Sequence, residues 1–240
     1  MQLNWHSVEE THCGKRRNSN EDAVLNRPDA GLWAVADGMG GHQAGEVASR
    51  AIADALDSLT LNGSLSEAVD AVEDTLLMVN NELRTHARRE CDGATVGSTV
   101  VAMVSRDRIG VVLWAGDSRL YRLRGSRLEQ ITRDHNPVSD LLDSGMVSEA
   151  DAVDADTHII TRAVGGQRDL YLDVAVFDVE LRDTYLLCSD GLYRELGRAE
   201  LVDELRADGL DGIAQALLER CLAGAARDNV SLVIARPELQ

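Results

Sequence analysis

The sequence predicts an α+β fold, a layered sandwich in one domain, on three observations. Two amphipathic helical stripes follow each other after residue 44, short apolar runs joined by polar turns come next, and strand and helix never alternate regularly. Runs of strands separated by a helix pair favour antiparallel sheets in layers over the βαβ units of a parallel sheet. With 240 residues, three prolines and no Ser/Gly/Pro tract, the chain reads as a single domain over residues 1–240.

The first apolar run, GLWAVAD, closes at Asp37. From Ala44, the residues Val47, Ala48, Ala51, Ile52, Ala55, Leu56 and Leu59 keep the i, i+3, i+4 spacing of a helix, and Leu65, Ala68, Val69, Val72, Leu76, Val79 and Leu83 repeat it. STVVAMV, IGVVLWAG, RLYRLR and RLEQI then read as a meander of strands punctuated by SRDR and GS. Residues 134–157 are polar and short-helical, an excursion over the surface. ITRAVGG, LYLDVAVFDVE and TYLLCSD resume the strand pattern, residues 213–222 read as a helix, and VSLVIAR as a closing strand.

A composition of 44% hydrophobic and 27% charged residues is that of a soluble globular protein. The net charge of -17 argues against nucleic-acid and anionic-membrane partners, because both need clustered Lys and Arg. Without an apolar signal core or a run of about 18 apolar residues, a cytoplasmic protein is expected, here as a monomer. The four cysteines lack C-x-x-C spacing, so reduced thiols are expected.

Three apolar runs stop at an aspartate beside a glycine, at Asp37, Asp117 and Asp190, and Asp228 stands just before the closing strand. Each alone fits an ordinary turn. Together they ask for a cation, since strands that deliver several carboxylates to one edge gather mutually repulsive charge. Oxygen ligands without clustered His or Cys favour Mg²⁺ or Mn²⁺. The glycines of AVADGMGGHQAGE suit close backbone approach there, whereas a dinucleotide-binding loop lacks its third glycine at the required spacing.

RRNSNEDA, VADGMGGHQAGEVAS, GSTVV, WAGDSRLYRLR, ITRDHN, ITRAVG, LLCSDGL and DNVSLVI occur in the order typical of type 2C metal-dependent Ser/Thr protein phosphatases, above all bacterial ones, and the chain resembles that family over nearly its whole length. The resemblance implies a four-layer αββα sandwich, two antiparallel sheets flanked by helix pairs, with a binuclear Mn²⁺ or Mg²⁺ centre at one end. It implies one metal held by Glu21, Asp37 and the Gly38 carbonyl, and another by Asp37, Asp190 and Asp228. Asp22 resembles the acid that orients metal-bound water, Arg17 the phosphate-binding arginine, and Asp117 an aspartate that helps hold a third metal. A flap is implied at about residues 136–157. Hydrolysis of phosphoserine and phosphothreonine in proteins is the implied activity. The implied partners are a bacterial Ser/Thr kinase and a forkhead-associated-domain protein.

Met39 stands where many eukaryotic members carry a histidine after the Asp-Gly pair. The proton donor is therefore left to His42, unless it is a helix-start histidine making only a local hydrogen bond, or to a metal-bound water. CSDGLYR, residues 188–194, also meets the C-x-x-G-x-x-R spacing of cysteine-dependent phosphatases. Asp190 inside such an anion cradle speaks against that chemistry. A catalytically silent member acting as a sensor is the further alternative, disfavoured because all the expected acids are present.

Overall fold

The computed structural model describes residues 3–40, 44–91, 94–143 and 159–239. In chain order the elements are β1 (Leu3–His12), β2 (Asp22–Arg27), β3 (Leu32–Met39), α1 (Ala44–Asp57), α2 (Leu65–Glu90), β4 (Gly97–Ser98), β5 (Val100–Arg106), β6 (Ile109–Ala115), β7 (Arg119–Arg124) and β8 (Arg127–Gln130). There follow α3 (Pro137–Asp143), β9 (Asp173–Asp178), β10 (Thr184–Cys188), α4 (Asp190–Tyr193), α5 (Arg198–Leu205), α6 (Leu210–Ala223) and β11 (Val230–Leu239).

The strands form two antiparallel sheets, one ordered β1-β11-β10-β7-β8 and the other β2-β3-β5-β6-β9, with β4 pairing β3 at its end. Pleating sends alternate side chains to opposite faces. Trp33, Val35, Val101, Met103, Tyr185, Leu187 and Val233 meet between the sheets. Leu32, Ala34 and Ala36 of β3 instead pack with Ile52, Leu56, Val72 and Leu76 of α1 and α2. On the other side Leu186, Cys188 and Leu232 pack with Ile213 and Leu217 of α6. These three cores stack four layers, helices, sheet, sheet and helices, as expected. Both faces of the central strands are covered, which is why they read as continuous apolar runs.

Two strands went unpredicted, β1 and β2, and one predicted strand is absent. ITRAVGG is irregular and makes only a single bridge, Ser98 with Val164, because Gly165 turns the chain with φ +85. The second helix runs on through THARRE to Glu90, opened by a capping box in which Ser64 and Glu67 satisfy each other's backbone N–H. Of the predicted flap, α3 opens the segment and residues 144–158 lie outside the described ones.

The glycines at the end of β3 have a steric cause. A Cβ on Gly38 would stand 2.1 Å from the Gly45 carbonyl oxygen and 2.4 Å from that of Glu21. So α1 starts in backbone contact with β3. Gly38→Ala is therefore expected to destabilise the fold by about 1–3 kcal/mol through overpacking, read as a lower urea midpoint at unchanged slope. A variant as stable as the parent would show that this contact relaxes freely.

Candidate metal centre

Register brings the acids together. Asp37 on β3 stands directly opposite Asp22 on β2. Asp117 follows the end of β6, Asp190 the end of β10, and Asp228 precedes β11, so the strands deliver four aspartates and Asp22 to one end of the sandwich. Gly116, with φ +112 and packed against Thr99, turns the chain sharply just before Asp117. The Asp37 N–H donates to Thr99 Oγ1 at 3.1 Å, while its carbonyl accepts from the Thr99 N–H and the Ser98 hydroxyl.

The loop that carries Arg17 and Glu21 is fastened by Asn229. Its side-chain amide donates to the carbonyls of Cys13 and Ser19 at 3.1 and 3.0 Å, and its oxygen accepts from the Glu21 N–H at 2.8 Å. The Gly38 N–H donates to the Glu21 carbonyl at 3.0 Å, fixing loop against strand. Arg17 reaches Asp228 Oδ2 at 2.8 Å with its guanidinium largely exposed at the rim. The acid Asp22 accepts from the Ser189 hydroxyl at 2.9 Å.

Electrostatics set this cluster apart. Burial pushes the Asp22 carboxyl up to about 7, although hydrogen bonds from Ser231 and Ser189 oppose it. Burial also lifts Asp190 to about 6, against the pull of Arg194. Asp37 is raised well above the ordinary value, first by burial and then by Asp22, Asp190, Asp117 and Asp228 around it. Asp117 is raised by burial too, with Arg194 pulling the other way.

Oxygens Oδ1 of Asp22, Asp117 and Asp190 are buried without a hydrogen-bond donor. Buried carboxylate oxygens in this state call for a positive partner. The donor set is all oxygen, so it fits Mg²⁺ or Mn²⁺. Among the described residues no three His, Cys, Asp or Glu side chains close into a finished ligand shell. Three of the acids are engaged by arginines instead, Asp228 by Arg17 and both Asp117 and Asp190 by Arg194.

Of the predicted residues, Asp22, Asp37, Asp117, Asp190 and Asp228 come together, with Glu21, Gly38 and Arg17 at their side. His42 lies outside the described residues. Asn229, Ser189, Thr99 and Tyr193 were not singled out from the sequence, and Arg194 only as the arginine of the C-x-x-G-x-x-R spacing. Asn229 and Ser189 each adjoin a predicted acid, Asp228 and Asp190, which was the available signal. The cysteine chemistry fails on geometry: Cys188 is fully buried among Tyr121, Leu186 and Leu192, and burial pushes its thiol far up, away from a reactive thiolate.

The comparisons with known proteins agree with this arrangement. The model of the family described as protein phosphatase 2C matches residues 11–222. The serine/threonine phosphatase Stp of Listeria innocua is 32% identical over 98% of this chain and 96% of its own. The structure of PppA, a key regulatory component of T6SS in Pseudomonas aeruginosa, is 39% identical at a TM-score of 0.91, covering 99% of this chain and 100% of that one. The catalytic domain of the serine threonine protein phosphatase PstP in complex with 2 manganese ions is 31% identical at a TM-score of 0.86, covering 98% of this chain and 99% of that one. The double-sheet sandwich is thus shared with these structures, and the chain belongs to the protein phosphatase 2C family.

Proposed function

We propose that the protein is a metal-dependent phosphatase of phosphoserine and phosphothreonine in proteins. The observation that carries this reading is the convergence of Asp22, Asp37, Asp117, Asp190 and Asp228 on one end of the sandwich, where Asp22, Asp117 and Asp190 each keep a buried, undonated oxygen. Glu21, Asp37, the Gly38 carbonyl, Asp190 and Asp228 would hold two Mn²⁺ or Mg²⁺ ions, with Asp37 a ligand common to both. When bound, such a pair lowers the pKa of a shared water and stabilises charge on the phosphoryl oxygens during in-line attack.

The chain's own residues supply the rest. Arg17, on the exposed rim, offers a planar fork to the substrate phosphate once it leaves Asp228. Asp22, held by Ser189, would orient the attacking water. The leaving oxygen takes its proton from His42 or from water. One catalytic domain spans residues 1–240 with a flap at about 136–157. It acts as a cytoplasmic monomer that opposes a bacterial Ser/Thr kinase, with a forkhead-associated-domain protein among its substrates. Among the described residues no helix is long and apolar enough to cross a membrane.

Metal dependence has a readout in stability. Asp22 and Asp190 titrate in the folded protein near 7 and 6, against 3.8 for an ordinary aspartate. A raised carboxyl favours the fold below its unfolded value and loses that contribution as pH rises through the folded one. Chelated protein should therefore melt at lower temperature at pH 7.5 than at pH 5, and Mn²⁺ should raise the midpoint more at pH 7.5. A flat profile with no Mn²⁺ effect would remove the metal reading. Phosphothreonine-peptide hydrolysis should vanish with EDTA and return with Mn²⁺.

The rival phosphatase chemistries separate at two positions. Cys188→Ser should keep most activity, because the thiol is sealed in the core. Asp190→Asn should lose several orders of magnitude in rate. A trapped cysteinyl-phosphate would decide for the thiol. For Arg17→Ala the expected result is a loss in kcat/KM with Mn²⁺ affinity retained, and unaltered kinetics would make Arg17 a surface residue.

A further inference from the structure

Asp117 is nearly sealed from solvent, its side chain only 2% exposed, yet no metal ligand is its nearest partner. Its Oδ2 accepts from Arg194 Nη2 at 3.2 Å and from the Tyr193 hydroxyl at 3.2 Å, and its carbonyl accepts from the same hydroxyl at 3.0 Å. Arg194 Nε meanwhile stands 3.1 Å from Asp190 Oδ2. One guanidinium thus spans the two carboxylates, using two edges of its planar fork.

The grip is built into the local chain. Arg194 lies four residues after Asp190, one helical turn along α4, and its backbone N–H donates to the Asp190 carbonyl at 3.0 Å. Tyr193 is fixed in turn, because the Arg119 guanidinium stacks 3.5 Å from its ring centroid and is itself held by Asp134 through two bonds of 2.9 and 2.7 Å. A divalent ion entering between Asp117 and Asp190 must displace a tethered cation and strip hydrogen bonds from both acids. Mg²⁺ and Mn²⁺ demand several oxygens in near-octahedral array, and the guanidinium takes one oxygen of each acid.

The geometry points to Arg194 as a resident cation at the Asp117–Asp190 corner, so that this chain takes two divalent ions and no third, in contrast to the role the family resemblance gives Asp117. The inference rests on the two-metal reading above. Each acid keeps Oδ1 free of any donor. Arg194 therefore also fixes the Asp190 carboxylate by one oxygen and leaves the other open to a cation, which makes it a positioning residue.

Calorimetric titration with Mn²⁺, backed by electron paramagnetic resonance of the bound ion, tests this without any turnover. The wild type and Arg194→Lys should each take up two equivalents. Arg194→Asp, which adds a third carboxylate to the corner, should take up three, the added site binding at least about tenfold tighter than any third ion in the wild type. Three equivalents in the wild type would overturn the inference and leave the phosphatase reading intact, and that outcome needs no variant to fold. The same holds if Arg194→Asp keeps the first two sites and gains none. No Mn²⁺ uptake by any of the proteins would bring down the two-metal reading and this inference with it.

Discussion

Everything at the working end of this molecule depends on the repulsion among carboxylates that the fold forces together. Asp22 and Asp37 face each other across neighbouring strands, and Asp190 comes within hydrogen-bond reach of Asp37. Their negative charge is tolerated because neutral donors, Thr99, Ser189 and Asn229, hold backbone and side chains in place. Arg17 touches the cluster at its margin through Asp228, and Arg194 offsets part of the charge where it bridges Asp117 and Asp190. The backbone contact of Gly38 with Gly45 belongs to the same constraint, since it closes α1 onto β3 directly beside Asp37.

The opposite end of the sandwich shows what a merely structural buried acid looks like. Asp183, just before β10, has no exposed side-chain surface and receives both Nε and Nη2 of Arg124 at 2.8 Å. The Glu180 N–H at 2.8 Å and the Tyr185 hydroxyl at 3.0 Å complete its shell. Its oxygens are all accounted for. The acids beyond the other end of β10 keep oxygens that nothing donates to. Residue type and burial are shared, so completeness of the hydrogen-bond shell is what distinguishes a scaffold carboxylate from one kept ready for a cation.

The helices and central strands were legible because their apolar periodicity is imposed by packing on one face or both. β1 was not, since LNWHSVEETH is an edge strand that packs one face and pairs all ten of its residues with β11, which lies more than two hundred positions away. Asp37, Asp117 and Asp190 were legible as punctuation at the ends of apolar runs. Arg194 and Asn229 were not, because a polar residue's task depends on which partners the fold brings to it. Asn229 reaches back to Cys13, Ser19 and Glu21 across most of the chain.

The CSDGLYR segment shows how one spacing can arise from two geometries. In β10 the pleat sends Tyr185 and Leu187 between the sheets and Leu186 and Cys188 toward α6, so the thiol is fixed in the helix-facing core. Beyond Ser189 the chain enters α4, and the period changes from two residues to about 3.6. Asp190 and Arg194 then share a helical face, whereas Cys188 belongs to a strand face turned the other way. The seven positions from Cys188 to Arg194 thus cross a change of secondary structure, and the arginine that would cradle a phosphate for a cysteine is committed to Asp190 and Asp117. What looks in sequence like a nucleophile with its anion clamp is, in three dimensions, a core residue followed by an acid and its own counter-ion.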